Sequence, residues 1–367
     1  MVFHAPFPIS SNADRASAIR PFKMLKAFQD LGFDVHQVTG HRSERKESFR
    51  ELRLKVAEGW VPDFCYSEAA TIPSSFTEPK HFPLTLNLER DFFRFLKTAG
   101  VPSGVFYRDV YWAFDEYVRS VGRPAAWAMR RLYRREIETF NLYVDVIFVP
   151  SDLMRDYIPG LSVAKVFSLS PGTEPPDRTV AVSSDPAKPL EVLYVGDVGG
   201  HHYEIKALLQ AVKTTPNIRL TLCTRPDSWA KARSEYQDLL GPQTRVVHES
   251  AAGLRQLYDQ ADLAALIARP GRYRSFAAPM KLYEYLGNGK PVVASRDTFA
   301  GQVTELEHVG WVVDYDAAEI SRLFSKLSAN RDLLERPHQA ARRFAALNTW
   351  EVRAQAAADV LLACSGS

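Results

Sequence analysis

The stretch "APMKLYEYLGNGKPVVAS", residues 278–295, joins a proline-preceded helix to an apolar strand through a glycine turn. Proline is favoured where a helix begins, so we expect the helix to start beside Pro279. Its first turn is predicted to hold Lys281 and Glu284, a cation and a strong hydrogen-bond acceptor three residues apart. A helix N-terminus carries partial positive charge and free N–H groups. We therefore predict that this helix start binds the phosphates and ribose of a nucleotide, although a Glu in a first turn is also ordinary helix chemistry.

Length and composition indicate a globular chain of two domains. The chain has 367 residues, 46% of them hydrophobic, and a formal net charge of +3. No apolar run is long enough to predict a transmembrane helix, and the first ten residues do not resemble a signal peptide. Cys65, Cys223 and Cys364 lie singly, without metal-ligand spacing, as expected of reduced intracellular thiols. We expect a cytoplasmic protein without a metal site.

Short β-branched and aromatic runs alternate with helical patterns in both halves of the chain. The first half contains the strand candidates "MVFH", "FDVHQVT", "DFCYS", "SGVFY" and "DVIFVPS". The second half contains "LEVLYVG", "IRLTLCT", "TRVVHE", "DLAALIA", "KPVVAS" and "GWVVDY". Strands that alternate with helices predict parallel sheets with right-handed crossovers. The predicted fold class is α/β, with two doubly wound, Rossmann-like domains that face a cleft.

A segment rich in Pro, Ser and charge, residues 170–189, is predicted to link the two domains. We place the first domain at residues 1–172 and the second at 173–349. Residues 350–367 are predicted to form a single amphipathic helix. Ligands of doubly wound sheets bind beyond the carboxyl ends of the strands, so the loops that follow strands are the candidate sites.

In the second half, the loops after the first three strands carry candidate ligand residues. Gly199 and Gly200 would let a diphosphate or sugar approach the backbone, and Arg225 follows the next strand as a candidate phosphate ligand. His248 and Ser250 end the third strand, where contacts to a base are common. The adjacent pair His201 and His202 is better explained as a solvated turn than as a metal site, and we predict no metal.

In the first half, "GVFYRDVYWAFDEY" places Arg108 and Asp109 just beyond a strand, among aromatic residues. A charged pair surrounded by rings fits a pocket for a sugar or acceptor. The alternative is a structural Arg–Asp pair that the rings shield. The loop after the first strand, with Ser10, Ser11, Asn12 and Ala13, is either a ligand loop or a plain connection.

Residues 123–140, "RPAAWAMRRLYRREIETF", interleave arginines with aromatic and aliphatic side chains. As a helix this segment has one basic face and one apolar face, which suits docking to an anionic membrane surface. Alternatively, the helix packs on its own sheet with its arginines solvated. Basic residues are not collected as they are in nucleic-acid-binding domains, so we expect no nucleic-acid partner.

These motifs together resemble the GT-B fold glycosyltransferases, and most closely their family-4 retaining group. The similarity is specific in the second half and looser in the first. It is carried in order by "LYVGDVGG", "LRQLYDQADLAAL", "APMKLYEYLGNGKPVVAS", "VGWVVDY" and "NTWEVRAQ".

The resemblance implies a hexosyltransferase whose second domain binds a nucleoside diphosphate sugar, expected to be UDP-linked, and whose first domain binds the acceptor. The segment "NTWEVRAQ" resembles the family's final helix, which implies that residues 350–367 return to the first domain. The acceptor is expected to be a glycan or, if residues 123–140 dock to the inner face of the cell membrane, a lipid-linked acceptor in cell-envelope or capsule polysaccharide synthesis. Transfer would proceed with retention and without an obligatory metal. The implied catalytic residues are Asp109, Lys281 and Arg225. The implied donor-binding residues are Gly199, Gly200, Arg225, His248, Ser250, Ala277, Ala278, Lys281, Leu282 and Glu284.

Two departures from the family pattern favour other hypotheses. Phe276 stands where the family has a sugar-contacting Glu, which would leave the main-chain N–H groups of Ala277 and Ala278 to replace it. Asp197 stands where the family has an Arg, a charge that Arg225 would supply instead. The alternatives are a catalytically silent binding subunit of a glycosyltransferase complex and a sugar-nucleotide epimerase. An epimerase would need several acid–base carboxylates, which the candidate loops lack.

Overall fold

The computed structural model describes residues 1–11, 16–81, 86–163, 165–174, 185, 187–199 and 204–364. The chain divides into two compact units. The first unit comprises Met1–Gly172 together with Trp350–Ser367, and the second unit comprises Thr173–Thr349. Each unit contains one six-stranded parallel sheet flanked by helices, which confirms the predicted α/β class with two Rossmann-like domains.

The strands of the first unit are β1 (Val2–His4), β2 (His36–Val38), β3 (Cys65–Glu68), β4 (Ser103–Phe106), β5 (Val146–Val149) and β6 (Lys165–Ser168). Those of the second unit are β7 (Leu190–Val195), β8 (Ile218–Cys223), β9 (Thr244–Val247), β10 (Leu263–Leu266), β11 (Val292–Ser295) and β12 (Gly310–Val313). The sequence analysis did not predict β6. It is an edge strand with three of its four residues exposed, so it lacks the apolar run of a buried strand.

The helices, in chain order, are α1 (Ala16–Asp30), α2 (Arg42–Ala57), α3 (Leu88–Thr98), α4 (Asp115–Val121), α5 (Arg123–Tyr143), α6 (Lys206–Thr214), α7 (Pro226–Tyr236), α8 (Ala251–Gln260), α9 (Met280–Gly287), α10 (Phe299–Leu306), α11 (Ala317–Ala329), α12 (Glu335–Leu347) and α13 (Trp350–Leu362). None of the described helices is long and apolar enough to cross a bilayer.

The last helix, α13, packs into the first unit, as the sequence predicted. Its buried face consists largely of alanines and ends with Leu361, and it lies against α1. Gly104 of β4 makes this close approach possible, because a side chain there would meet Leu361 at 2.8 Å. Small residues on both surfaces therefore let a helix from the end of the chain pack closely on the first sheet.

The strand order of the second sheet locates its binding region. The order is β12-β11-β10-β7-β8-β9, so the chain reverses its direction of winding between β7 and β10. Helices α6 and α11 cover one face of this sheet, and α9 and α12 contribute to the core on the other. At such a switch point the connecting helices leave on opposite faces and open a crevice at the carboxyl ends of the strands.

Candidate functional site

Helix α9 is attached to the end of β7 by a buried tyrosine. The Tyr285 hydroxyl donates to the Val195 carbonyl at 3.2 Å and accepts from the Val195 N–H at 2.8 Å. Tyr285 is fully buried, and Leu282 and Leu286 pack beside it in the same core. Because these contacts fix α9 against β7, the start of the helix lies at the switch point between β7 and β10.

Lys281 and Glu284 lie together on the accessible side of α9. The helix begins at Met280, so Lys281 occupies the first turn but Glu284 the second, a correction to the predicted first-turn position. The Lys281 ammonium lies 3.3 Å from Glu284 Oε2, and the Tyr258 hydroxyl of α8 donates to Glu284 Oε1 at 2.8 Å. Both charged side chains are about one-third exposed, at 35% and 33%. They are thus held in place yet open to a ligand.

Arg225 is held by a carboxylate from the neighbouring loop. Its guanidinium donates to both oxygens of Asp197, at 2.8 and 2.6 Å, and the Ser228 hydroxyl donates to Asp197 Oδ1 at 2.8 Å. Burial opposes ionisation of Asp197, but these hydrogen bonds outweigh it and lower its pKa, with a smaller contribution from the charge of Lys281. The sequence predicted Arg225 as a phosphate ligand. The structure instead gives it a bidentate partner that neutralises it.

Gly199 has a structural reason to be glycine. Its φ is +91°, and a side chain there would meet the Ala232 Cβ of α7 at 2.6 Å. The absence of a side chain thus lets the loop after β7 pack on α7, whether or not a ligand also approaches. Gly200, predicted beside it, lies outside the described residues, as do His201 and His202.

His248 and Ser250 lie at the end of β9, the edge strand of the sheet. His248 Nδ1 lies 2.7 Å from the Thr224 carbonyl, which orients the ring, and the side chain is exposed. The Ser250 carbonyl accepts from the Gly253 N–H at 3.1 Å as α8 begins. Since β9 lies two strands from β7, these residues mark the far end of a site that is centred on Lys281.

Two of the predicted donor-binding residues near the start of α9, Ala277 and Leu282, have main-chain N–H groups that are already hydrogen-bonded within the protein. The N–H of Ala277 donates to the Tyr273 carbonyl and that of Leu282 to the Pro279 carbonyl, each at 3.1 Å. This corrects the expectation that the Ala277 N–H is available to a sugar. Phe276 is 1% exposed and packs edge-on against Tyr273, so its ring belongs to the core. Ala278 and Lys281 stay half-buried at the helix start.

In the first unit, Arg108 pairs with a residue that the sequence analysis missed. It donates to Glu68 Oε2 at 3.0 Å, whereas Asp109 Oδ1 accepts from the Tyr111 N–H at 2.8 Å. The carboxylate of Glu68, and not only that of Asp109, is therefore available to Arg108. Glu68 also accepts from Arg20 at 3.1 Å and is fully buried. Asp109 remains half-buried beyond β4, with its carboxylate shaping a local turn.

Other site residues escaped prediction because their partners are distant in sequence. Tyr258 precedes Glu284 by 26 residues, and Glu68 precedes Arg108 by 40. Glu204 links the loop before α6 to Arg269 at 2.7 Å and to the Tyr315 hydroxyl at 3.1 Å. Only Ser228 offered a sequence signal, since it follows Arg225 by three residues, as two residues on one helix face do.

The charged residues of the second unit lie in the part of the chain that matches a known protein family. Residues 178–344 match the family model described as glycosyl transferases, group 1. This region contains Asp197, Arg225, Lys281 and Glu284. No curated protein matches the sequence.

Several solved structures share the fold over almost the whole chain. HepE (Alr3699) from Anabaena, crystallised with UDP, has a TM-score of 0.62 at 13% identity, covering 99% of both chains. Sucrose-phosphate synthase from Thermosynechococcus elongatus has a TM-score of 0.65 at 15% identity, covering 98% of this chain and 97% of its own. WaaG, a glycosyltransferase involved in lipopolysaccharide biosynthesis, has a TM-score of 0.62 at 14% identity, covering 98% and 99%. The fold and the family match together support a GT-B glycosyltransferase.

Proposed function

We propose that this protein is a retaining hexosyltransferase that moves a sugar from a UDP-linked donor to a glycan or lipid-linked acceptor in cell-envelope or capsule polysaccharide synthesis. The observation that carries the proposal is the Lys281–Glu284 pair at the start of α9, at the switch point of the second sheet, together with the Arg225–Asp197 pair in the loops after β7 and β8. The family match covers this region, and the similar structure of HepE was determined with UDP.

In the proposed mechanism, the donor diphosphate takes the place of the present partners of the site's cations. Lys281 exchanges Glu284 for a phosphate oxygen, and Arg225 shares its guanidinium between Asp197 and the phosphates. Both pairs are partly exposed, so each contributes little net free energy and can rearrange. These cations, with the N-terminus of α9, stabilise the negative charge that develops as the sugar leaves. This stabilisation requires no obligatory metal.

The released Glu284 then accepts hydrogen bonds from the hydroxyl groups of the ribose. Tyr258 continues to donate to Oε1, which fixes the rotamer while Oε2 turns to the ligand. A carboxylate has enough lone pairs for these bonds. Donor-sugar recognition does not use the position of Phe276, whose ring is buried. Ala278, half-buried at the helix start, lies near where the sugar would bind.

Asp109 orients the acceptor in the proposed mechanism, and the first unit is the acceptor domain. The Asp109 carboxylate is held by the Tyr111 N–H at 2.8 Å and lies at the end of β4. The second unit is the donor domain. Transfer with retention uses no base-activated water, so Asp109 acts by positioning the acceptor.

Membrane docking through α5 is part of the proposal for a lipid-linked acceptor at the inner face of the membrane. Trp127 is 69% exposed, and Arg131 and Arg134 are exposed on the same helix. Arg130 does not contribute, since it donates to the carbonyls of residues 112–114. We expect Trp127→Ala with Arg131→Gln to lower cosedimentation with phosphatidylglycerol vesicles and to leave UDP binding unchanged. Equal cosedimentation of both proteins would contradict docking through α5.

A silent binding subunit is the second candidate, because Asp197 neutralises Arg225 and Phe276 offers no carboxylate. The test is UDP release from a panel of UDP-sugars by the full chain. We expect slow release that Lys281→Ala lowers about 100-fold, with weaker UDP binding. The exposed Lys231→Ala in α7 is the matched control. UDP binding without release from any donor would favour the silent subunit, and no UDP binding would refute the proposed site.

A further inference from the structure

A second candidate site lies on the outer edge of the second sheet, away from the nucleotide residues. A groove of about 950 Å³ runs along β12, between α10 and α12 on one side and α11 on the other. Trp311, Leu323 and Leu333, all half-buried, form apolar parts of its lining. It shares no lining residue with the site around Lys281, and β12 is two strands beyond β10.

The walls of this groove carry unpaired positive charge. Its lining includes five lysine and arginine side chains against two carboxylates. Arg322 and Lys326 are exposed on α11, one helical turn apart, and Arg336 and Arg343 are exposed on α12. Within the part of the chain that the structure describes, none of these four forms an ion pair or side-chain hydrogen bond. Elsewhere in this unit exposed arginines do have carboxylate partners, as Arg219 does with Glu191 at 2.7 Å.

The groove also exposes backbone hydrogen-bonding groups of an edge strand. Among the strands that the structure describes, β12 pairs only with β11. The Val309 and Val313 carbonyls accept from Val292 and Arg296 of the β11 side at 3.0 and 2.7 Å, so the odd-numbered residues face β11. Backbone groups alternate in direction along a parallel strand, and those of Gly310 and Val312 therefore face the groove. An unpaired strand edge is a template for another strand.

We propose that this groove binds an extended acidic peptide segment of a partner protein, which adds a strand to β12. The peptide backbone pairs with Gly310 and Val312, and its acidic side chains contact the cations of α11 and α12. Strand addition gives affinity through main-chain hydrogen bonds and specificity through alternate side chains. A membrane surface is a poorer match, because these cations line a concave slot along a strand and do not form a flat patch.

The test uses the full chain and a fluorescein-labelled octapeptide in which Glu and Val alternate, followed by fluorescence anisotropy. We expect saturable binding that Arg322→Gln with Arg343→Gln weakens about tenfold, since each exposed charge contributes modestly. The matched control is Lys231→Gln with Arg233→Gln, two exposed residues of α7 in the same unit, and it should bind like the unchanged protein. UDP binding should be the same in all three proteins.

Two further probes separate strand addition from simple charge attraction. The same octapeptide with alternate backbone nitrogens methylated keeps its charge but cannot pair on one edge, and it should bind at least about tenfold more weakly. Equal binding of the methylated peptide, or of a Lys–Val peptide, would overturn the proposal. Peptide binding that is equally tight in Arg322→Gln with Arg343→Gln would also overturn it. The same holds if no peptide binds and this variant instead loses binding to phosphatidylglycerol vesicles.

Discussion

The two units place charged side chains at equivalent ends of their parallel sheets but bury them to different degrees. In the first unit Glu68 is fully buried at the end of β3 and is bound by Arg20 and Arg108, which are 4% and 8% exposed. In the second unit Arg225 is 48% exposed and its partner Asp197 29%. The strand ends are similar in topology, whereas the solvent access of their ion pairs is not.

This difference determines which charges are available to a ligand. Removing one member of a buried pair leaves an uncompensated charge in a medium of low polarity, so the pairs of the first unit stay closed. A half-exposed pair contributes little net free energy, because water solvates its members when they separate. In the proposed mechanism, an incoming diphosphate therefore displaces Asp197 or Glu284, but not Glu68. The predictions below test this contrast.

The largest effect is expected at Glu68. Replacing Glu68 with Gln removes the buried carboxylate that Arg20 and Arg108 share, and we expect it to lower the free energy of unfolding of the first unit by about 3–5 kcal/mol. Hydrogen exchange of the β3 and β4 amides measures this loss. Glu47→Gln, which removes an exposed pair with Arg50, is the matched control and should leave exchange nearly unchanged. Equal exchange in both variants would show that burial does not distinguish the two kinds of pair.

The next effect concerns Glu136, a buried carboxyl of α5. Burial raises its pKa from 4.5 to about 7, although the Ser74 N–H donates to Oε1 at 2.9 Å. Between pH 4.5 and 7 the unfolded chain releases this proton before the folded one does, so the stability contributed by Glu136 falls as the pH rises. We expect Glu136→Gln to be more stable than the unchanged protein by about 2–3 kcal/mol at pH 8.

Well below pH 4.5, the Glu136→Gln difference should vanish, because the carboxyl is then protonated in both states. Urea unfolding at several pH values, monitored by hydrogen exchange of the α5 amides, gives the stability difference at pH 8 and at low pH. Glu138→Gln is the matched control, because Glu138 is an exposed carboxylate on the same helix, α5. A stability gain that is the same at both pH values would mean that protonation of Glu136 is not its cause.

A smaller effect is expected at Glu284, where ligand binding changes and stability does not. Glu284→Gln should weaken UDP binding about tenfold, because an amide cannot accept two ribose hydroxyls as a carboxylate does. Calorimetric titration with UDP and with 2′,3′-dideoxy-UDP isolates the ribose contribution. The unchanged protein should discriminate between the two nucleotides and Glu284→Gln should not. Glu307→Gln, at an exposed residue directly after α10, is the control, and discrimination that survives in Glu284→Gln would refute the ribose contact.

Sequence reasoning could predict the fold because the fold depends on local patterns. The four inner strands of the second sheet, β7, β8, β10 and β11, are largely buried and rich in apolar residues, as buried parallel strands require. The strand β6 escaped because an edge strand needs few apolar residues. The boundary between the domains followed from the linker composition and the last helix from its amphipathic periodicity, whereas the return of that helix to the first domain followed from the family resemblance.

The site was only partly predictable, because ion-pair partners depend on tertiary distance. The position of Lys281 could be deduced from Pro279 and helix chemistry, but the Tyr258 contact to Glu284 and the Asp197 contact to Arg225 cross between elements. The sequence marked Asp197 only as a departure from a family pattern. Its partner, Arg225, could be identified only from the structure, in which the loops after β7 and β8 pack together.

The smallest effect is expected at Asp197, where a half-exposed carboxylate competes directly with the ligand for Arg225. Its carboxylate neutralises Arg225 and repels a bound diphosphate, so Asp197→Asn should tighten UDP binding about threefold at pH 7. The gain should shrink in high salt, since the charges are partly exposed. Asp314→Asn is the matched control, because Asp314 pairs with Arg296 at 2.7 Å on another loop of the same unit. Weaker UDP binding in Asp197→Asn would mean that this carboxylate positions Arg225 for the phosphates, whereas tighter binding in both variants would reflect net charge alone.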